Sequence, residues 1–153
     1  MNQDEFAQRV QQEIAHLYRT ALLYLGSEQR AMDAVDEAVY KGLCACKTLR
    51  EPAYFSTWLM RILINECKRA LKKAWREQPF ETLPETSEAA FDALPLKDAV
   101  LCLPAELKEV VILRYFSDFT LAQTAKLLNI PQGTAATRQR RALSLLKLAL
   151  EEE

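Results

Sequence analysis

An all-α fold in two small helical domains is what this chain predicts: a three-helix N-terminal bundle and a C-terminal helix-turn-helix domain, joined by a flexible linker. Three observations carry that reading. Only three of the 153 residues are glycine, so tight hairpins have few places to form and long helices are favoured. Apolar residues recur at spacings of three and four along most of the chain, the stripe of amphipathic helices. Residues 77–95 break that pattern with Pro79, Pro84 and Pro95 among Glu, Thr, Ser and Ala, which reads as a linker with too little apolar area to order itself. The domains are then expected at 1–76 and 96–153, small but each long enough for a compact core.

Taken in order, the first helix runs from Asp4 to Leu25 on a stripe of Phe6, Val10, Ile14, Leu17, Tyr18, Ala21, Leu22 and Leu25, and Gly26 ends it. Ser27 is a natural N-cap for the second helix, whose stripe is Ala31, Ala34, Val35, Ala38, Val39 and Leu43. Its opposite face carries Asp33, Asp36 and Glu37, spaced as a solvated face or as a docking surface for a basic partner. A short loop from Lys47 leads to Pro52, which suits a first helical turn. The third helix, from about Ala53 to Ala74, buries Phe55, Trp58, Leu59, Ile62 and Leu63. At that spacing the two aromatics read as core and not as stacking platforms for bases.

Beyond the linker, short helices are expected over Asp98–Leu103, from Pro104 to about Phe116 and over Leu121–Leu128, then a long one over Gln132–Leu150. Small Ala125 allows two helices to approach, Asn129 tolerates the positive φ of a turn, Ile130 is placed to plug the core and Pro131 marks the next start. Short helix, tight turn, long basic helix is the grammar of a helix-turn-helix.

A net charge of −1 would speak against a nucleic-acid partner if it were evenly spread. It is not. Arg61, Lys68, Arg69, Lys72, Lys73 and Arg76 face the single acid Glu66, and from Thr120 to Leu150 there are Lys126, Arg138, Arg140, Arg141 and Lys147 with no acid at all. The acidic stretch Glu77–Asp98 separates these two basic segments, so near-neutrality hides two candidate phosphate-binding surfaces.

Catalysis, cofactors and metals are not expected. His16 and Glu37 have no nucleophile or glycine-rich phosphate loop beside them. Cys44, Cys46, Cys67 and Cys102 form no CxxC pair, which points to reduced, mostly buried thiols in a reducing compartment. No apolar run reaches the roughly 20 residues of a membrane helix, and the acidic start Met1–Glu5 is unlike a signal peptide, so the protein is expected in the cytoplasm.

Leu103-Pro104, Val111-Ile-Leu-Arg-Tyr-Phe116, Ala125–Leu128 and Gly133-Thr134 to Arg141-Ala142 resemble the C-terminal promoter-binding domain of the extracytoplasmic-function (ECF) class of bacterial RNA polymerase sigma factors. The N-terminal half is similar to their other domain through Asp33, Asp36-Glu37, Phe55-Ser-Thr-Trp-Leu-Met-Arg-Ile62 and Asn65. The resemblance implies a transcription initiation factor that binds core RNA polymerase, through its beta and beta-prime subunits, and promoter DNA, with an anti-sigma factor able to hold it at the membrane and no small-molecule substrate. It implies that Asp33, Asp36 and Glu37 meet the polymerase clamp, and that the loop at Leu49, with Arg61, Asn65, Lys68 and Arg69, holds the minus-ten element. Thr134, Thr137, Arg138, Arg140 and Arg141 would bind the minus-thirty-five element, with Thr137 and Arg141 on base edges and Arg138 and Arg140 on phosphates. Leu43, Leu49 and Ala136 depart from the family pattern of Trp, aromatic and basic residues, so promoter preference does not transfer. A dimeric helix-turn-helix regulator, or an inactive paralogue that titrates an anti-sigma factor, would share the same grammar.

Overall fold

A computed structural model describes residues 1–77 and 94–151, and every regular element among them is helical. The linker expected over 77–95 lies almost wholly outside the described residues. The chain divides into two compact units, Met1–Ser87 and Glu88–Glu153.

The first unit holds three long helices, α1 (Gln3–Leu25), α2 (Glu28–Ala45) and α3 (Phe55–Glu77), each packed on the other two. Local chemistry sets the ends. Asn2 caps α1 by accepting from Glu5 N at 2.8 Å, with Asp4 and Glu5 at the positive end of the helix dipole. Gly26 closes it at φ 68°, and Ser27 accepts from Arg30 N at 3.3 Å to start α2. Single turns of 3-10 helix at Cys46–Thr48 and Pro52–Tyr54 carry the chain to α3, with Pro52 in the opening position.

Phe6, Leu17, Ala31, Ala38, Phe55, Leu59 and Leu63 form the centre of this bundle. Phe6 is its keystone, meeting Phe55 edge-on at 5.7 Å and Trp58 at 6.3 Å between ring centroids. Trp58 itself is only half-buried. α2 passes so near that a Cβ on Gly42 would lie 2.9 Å from the Phe6 ring and 3.1 Å from Leu59 Cδ1. Ile14, expected in the buried stripe, is 43% exposed. Three residues of helix leave it about 60° off the direction of Leu17, at the stripe's edge. The end of α1 buries Thr20 to Leu25 on every side.

In the second unit α4 (Leu94–Leu101), α5 (Ala105–Val111), α6 (Leu121–Leu128) and α7 (Gln132–Glu151) surround Val100, Val110, Ile112, Leu113, Ala125, Ala135 and Ala142. The short helix expected from Asp98 begins earlier, at Leu94, because Pro95 fits a first helical turn as well as it fits a linker. The helix expected from Pro104 to Phe116 is not one α-helix: α5 gives way at Ile112 to a π-helical turn, Ile112–Phe116, closed by Ser117 N to Ile112 O at 2.9 Å.

The thiols also depart from expectation, since Cys46 and Cys67 are buried but Cys44 and Cys102 are exposed, all four being free. Burial, with the charge of adjacent Glu66 added, pushes the Cys67 thiol up to about 12. Iodoacetamide at neutral pH is therefore expected to label Cys44 and Cys102 in the native protein, and Cys46 and Cys67 only after denaturation. Peptide mass spectrometry reads this directly, and native labelling of Cys67 at the rate of Cys44 would contradict the packing.

Candidate nucleic-acid interface

In the second unit the helix-turn-helix is α6, its turn and α7. Thr120 and Gln123 cap α6 reciprocally, Thr120 Oγ1 accepting from Gln123 N at 3.1 Å and Gln123 Oε1 from Thr120 N at 2.9 Å. Asn129 ends it at φ 57°, as its tolerance of that region predicts, and Ile130 N donates back to Ala125 O at 3.0 Å. Ala125 is buried, while Ile130 is half-buried.

α7 turns Ala135, Ala142 and Leu146 inward. Its outer side carries Thr137, Arg140 and Arg141, which share a shallow depression with Leu107 of α5, Ser144 and Leu145. Both arginines are exposed, whereas Thr134 is half-buried. The Thr137 hydroxyl donates to Gly133 O at 3.1 Å, so it presents an acceptor and a methyl group outward. Arg138 is drawn to the side, 25% exposed and 3.8 Å from Glu106 of α5.

Arg114, to which the sequence pattern assigns no role, ties α7 to the segment ahead of α6. The π turn aims it so that Nε donates to Gln139 Oε1 of α7 and Nη1 to Phe119 O ahead of α6, both at 3.0 Å. A charged residue inside an apolar helical run was the available signal.

The first unit offers two charged faces. On α2, Asp33, Asp36 and Glu37 are all exposed, and Asp33 Oδ1 accepts a surface bond from Gln29 Nε2 at 3.1 Å. On α3, at about 100° per residue, Arg61, Asn65, Lys68, Arg69 and Lys72 share one side; all are exposed except half-buried Lys68. Leu49 is not on that surface: it is 8% exposed and anchors the loop before Pro52, its carbonyl accepting from the N-terminal amine at 3.2 Å. Glu66 also points inward, 7% exposed, where it meets Lys41 of α2 and Arg69. Lys41 was not foreseen, because nothing in the periodicity pairs residues 25 apart.

Among the described residues no group of His, Cys, Asp and Glu could hold a metal ion, and no helix is long and apolar enough to cross a membrane.

The two units coincide with two regions of one protein class. Residues 9–77 match Sigma-70 region 2 and residues 93–146 match Sigma-70 region 4. Sigma factor SigV of Bacillus subtilis is 30% identical over 89% of this chain and 85% of its own, and SigW of the same organism is 27% identical over 99% and 91%. In fold, the chain matches RpoE of Bartonella quintana, solved with the anti-sigma factor NepR, at a TM-score of 0.84, 23% identity and 96% and 97% coverage. It matches CnrH, solved with the cytosolic domain of CnrY, at a TM-score of 0.77, 19% identity and 99% and 91% coverage. The chain belongs to the ECF sigma factors, a family of non-enzymatic regulators, and directs promoter-specific transcription initiation.

Proposed function

We propose that the work of initiation is divided between the units. Residues 1–76 dock on the polymerase clamp through Asp33, Asp36 and Glu37 and hold the minus-ten element; residues 96–153 bind the minus-thirty-five element; residues 77–95 connect them. The observation that carries this is the sorting of charge, with exposed acids on α2 and exposed cations on α3 and α7. Acids suit a basic protein surface, and cations with Asn65 suit DNA.

At minus ten, Asn65 reads an unstacked base while Arg61, Lys68 and Arg69 neutralise phosphates, and buried Leu49 anchors the loop that completes the strand's site. The protein works in the cytoplasm, carries out no catalysis of its own, contacts the beta and beta-prime subunits, and is restrained by an anti-sigma factor. Support for that last partner is that RpoE, a protein of like fold, was solved with the anti-sigma factor NepR.

At minus thirty-five, the first turn of α7 with Thr134 meets a phosphate, Thr137 and Arg141 face base edges, and Arg140 with Arg138 bind the backbone. Because Ala136 offers no hydrogen bond, few side chains set specificity. Arg141→Ala is expected to cost about 1 to 3 kcal/mol and relax preference at one base pair, whereas Arg140→Ala weakens all sites alike and lowers the salt slope by about one. Binding across a panel of mutated promoters separates the two. Uniform weakening by Arg141→Ala would make it a phosphate contact.

A further inference from the structure

Between Arg61 and Arg76 of α3, Glu66 is the one acid, and it lies against α2 instead of among the cations. A carboxylate withdrawn from water must be paired. Lys41 Nζ of α2 donates to its Oε1, and Arg69 Nη1, one turn along α3, donates to the same oxygen at 3.1 Å. A purely structural tie between α2 and α3 needs one cation; here there are two, leaving a net positive charge. Neither is used up. An ammonium has three donors and a guanidinium five, Glu66 engages one of each, and the side chains remain 36% and 66% exposed. Arg69 also stands four residues beyond Asn65, on the same helical side.

We infer that Lys41 and Arg69, gathered by Glu66, form one phosphate-binding site, which takes a backbone phosphate of single-stranded DNA beside the base that Asn65 meets. This rests on the minus-ten reading above and adds to it a contact from α2 and a positioning residue, Glu66. An ammonium and a planar guanidinium held side by side suit the adjacent oxygens of one phosphate. Glu66 holds both in place beforehand, so less side-chain freedom is lost on binding.

The test uses the full chain reconstituted with core polymerase. Its probe is a fluorescent oligonucleotide carrying the non-template minus-ten strand of a promoter found by transcription of genomic fragments, titrated at several salt concentrations. Lys41→Gln is expected to lower the salt slope by about 0.7 and the affinity about tenfold. Lys41→Arg, which keeps the charge and the bond to Glu66, should keep both. The double variant Lys41→Gln with Glu66→Gln leaves no charge buried and should lose the slope as well, so a poorly folded single variant does not end the test. A wild-type slope in either folded Gln variant would overturn the site. Asn65→Ala should weaken binding at an unchanged slope. If Asn65→Ala and Arg69→Ala both bind like wild type, the minus-ten reading fails with it; if they weaken binding while Lys41→Gln leaves the slope intact, only the added site fails.

Discussion

Reversing Asp33, Asp36 and Glu37 to lysine is expected to abolish holoenzyme assembly, lowering affinity for core polymerase on the order of a hundredfold or more. Each reversal replaces an attraction to a basic surface with a repulsion, and the three side chains lie together, so their effects act on one patch. The fold should hardly notice. All three residues are exposed, and the Gln29–Asp33 bond that is lost is a surface contact worth no more than about 0.5 kcal/mol. Anisotropy of a labelled chain titrated with core polymerase gives the affinity, and a melting curve confirms the fold. Unchanged affinity in the folded variant would return these acids to the role of a solvated face.

Phe6→Ala is expected to produce the largest loss of stability, about 3 to 5 kcal/mol. The ring is 2% exposed, meets both Phe55 and Trp58, and lies under Gly42 where α2 crosses. A domain has only about 5 to 15 kcal/mol in all, so this one truncation should remove about a fifth or more of the N-terminal unit's stability. Gly42→Ala probes the same spot from the other side. Alanine favours a helix by up to about 1 kcal/mol, but its methyl would press on a ring and on Leu59, and overpacking costs about 1 to 3 kcal/mol. Denaturant unfolding measures both, and a loss below about 1 kcal/mol for Phe6→Ala would contradict the packing described.

Where structure follows from local chemistry, the sequence was sufficient. Gly26 and Ser27 mark the α1–α2 boundary, Leu121–Leu128 holds to both ends, and Asn129 takes the left-handed turn, because each depends on neighbours within one turn. The failures share a different cause. The π turn at Ile112–Phe116 meets a packing demand of the whole unit, bringing Arg114 to Gln139 and Phe119, and no propensity of the segment announces it. Ile14 and Trp58 sit at core spacing, and period does not tell how wide a buried face is. For the candidate site, residue types and spacing revealed which faces are charged. They could not reveal that Arg138 leans to Glu106 or that Lys41 and Arg69 meet at Glu66, since those pairings cross between helices.

We propose that one chain joins polymerase and reads two unlike promoter elements with separate domains. Transcription by core polymerase reconstituted with this chain, on fragments of its own genome, tests it most directly. Discrete transcripts should arise only with the chain present, from sites that share two dissimilar, spaced elements; Arg141→Ala should alter selection at the upstream one and Asn65→Ala opening at the downstream one. Tight binding of the chain to palindromic sites as a dimer, with no transcript and no association with core polymerase, would contradict the account.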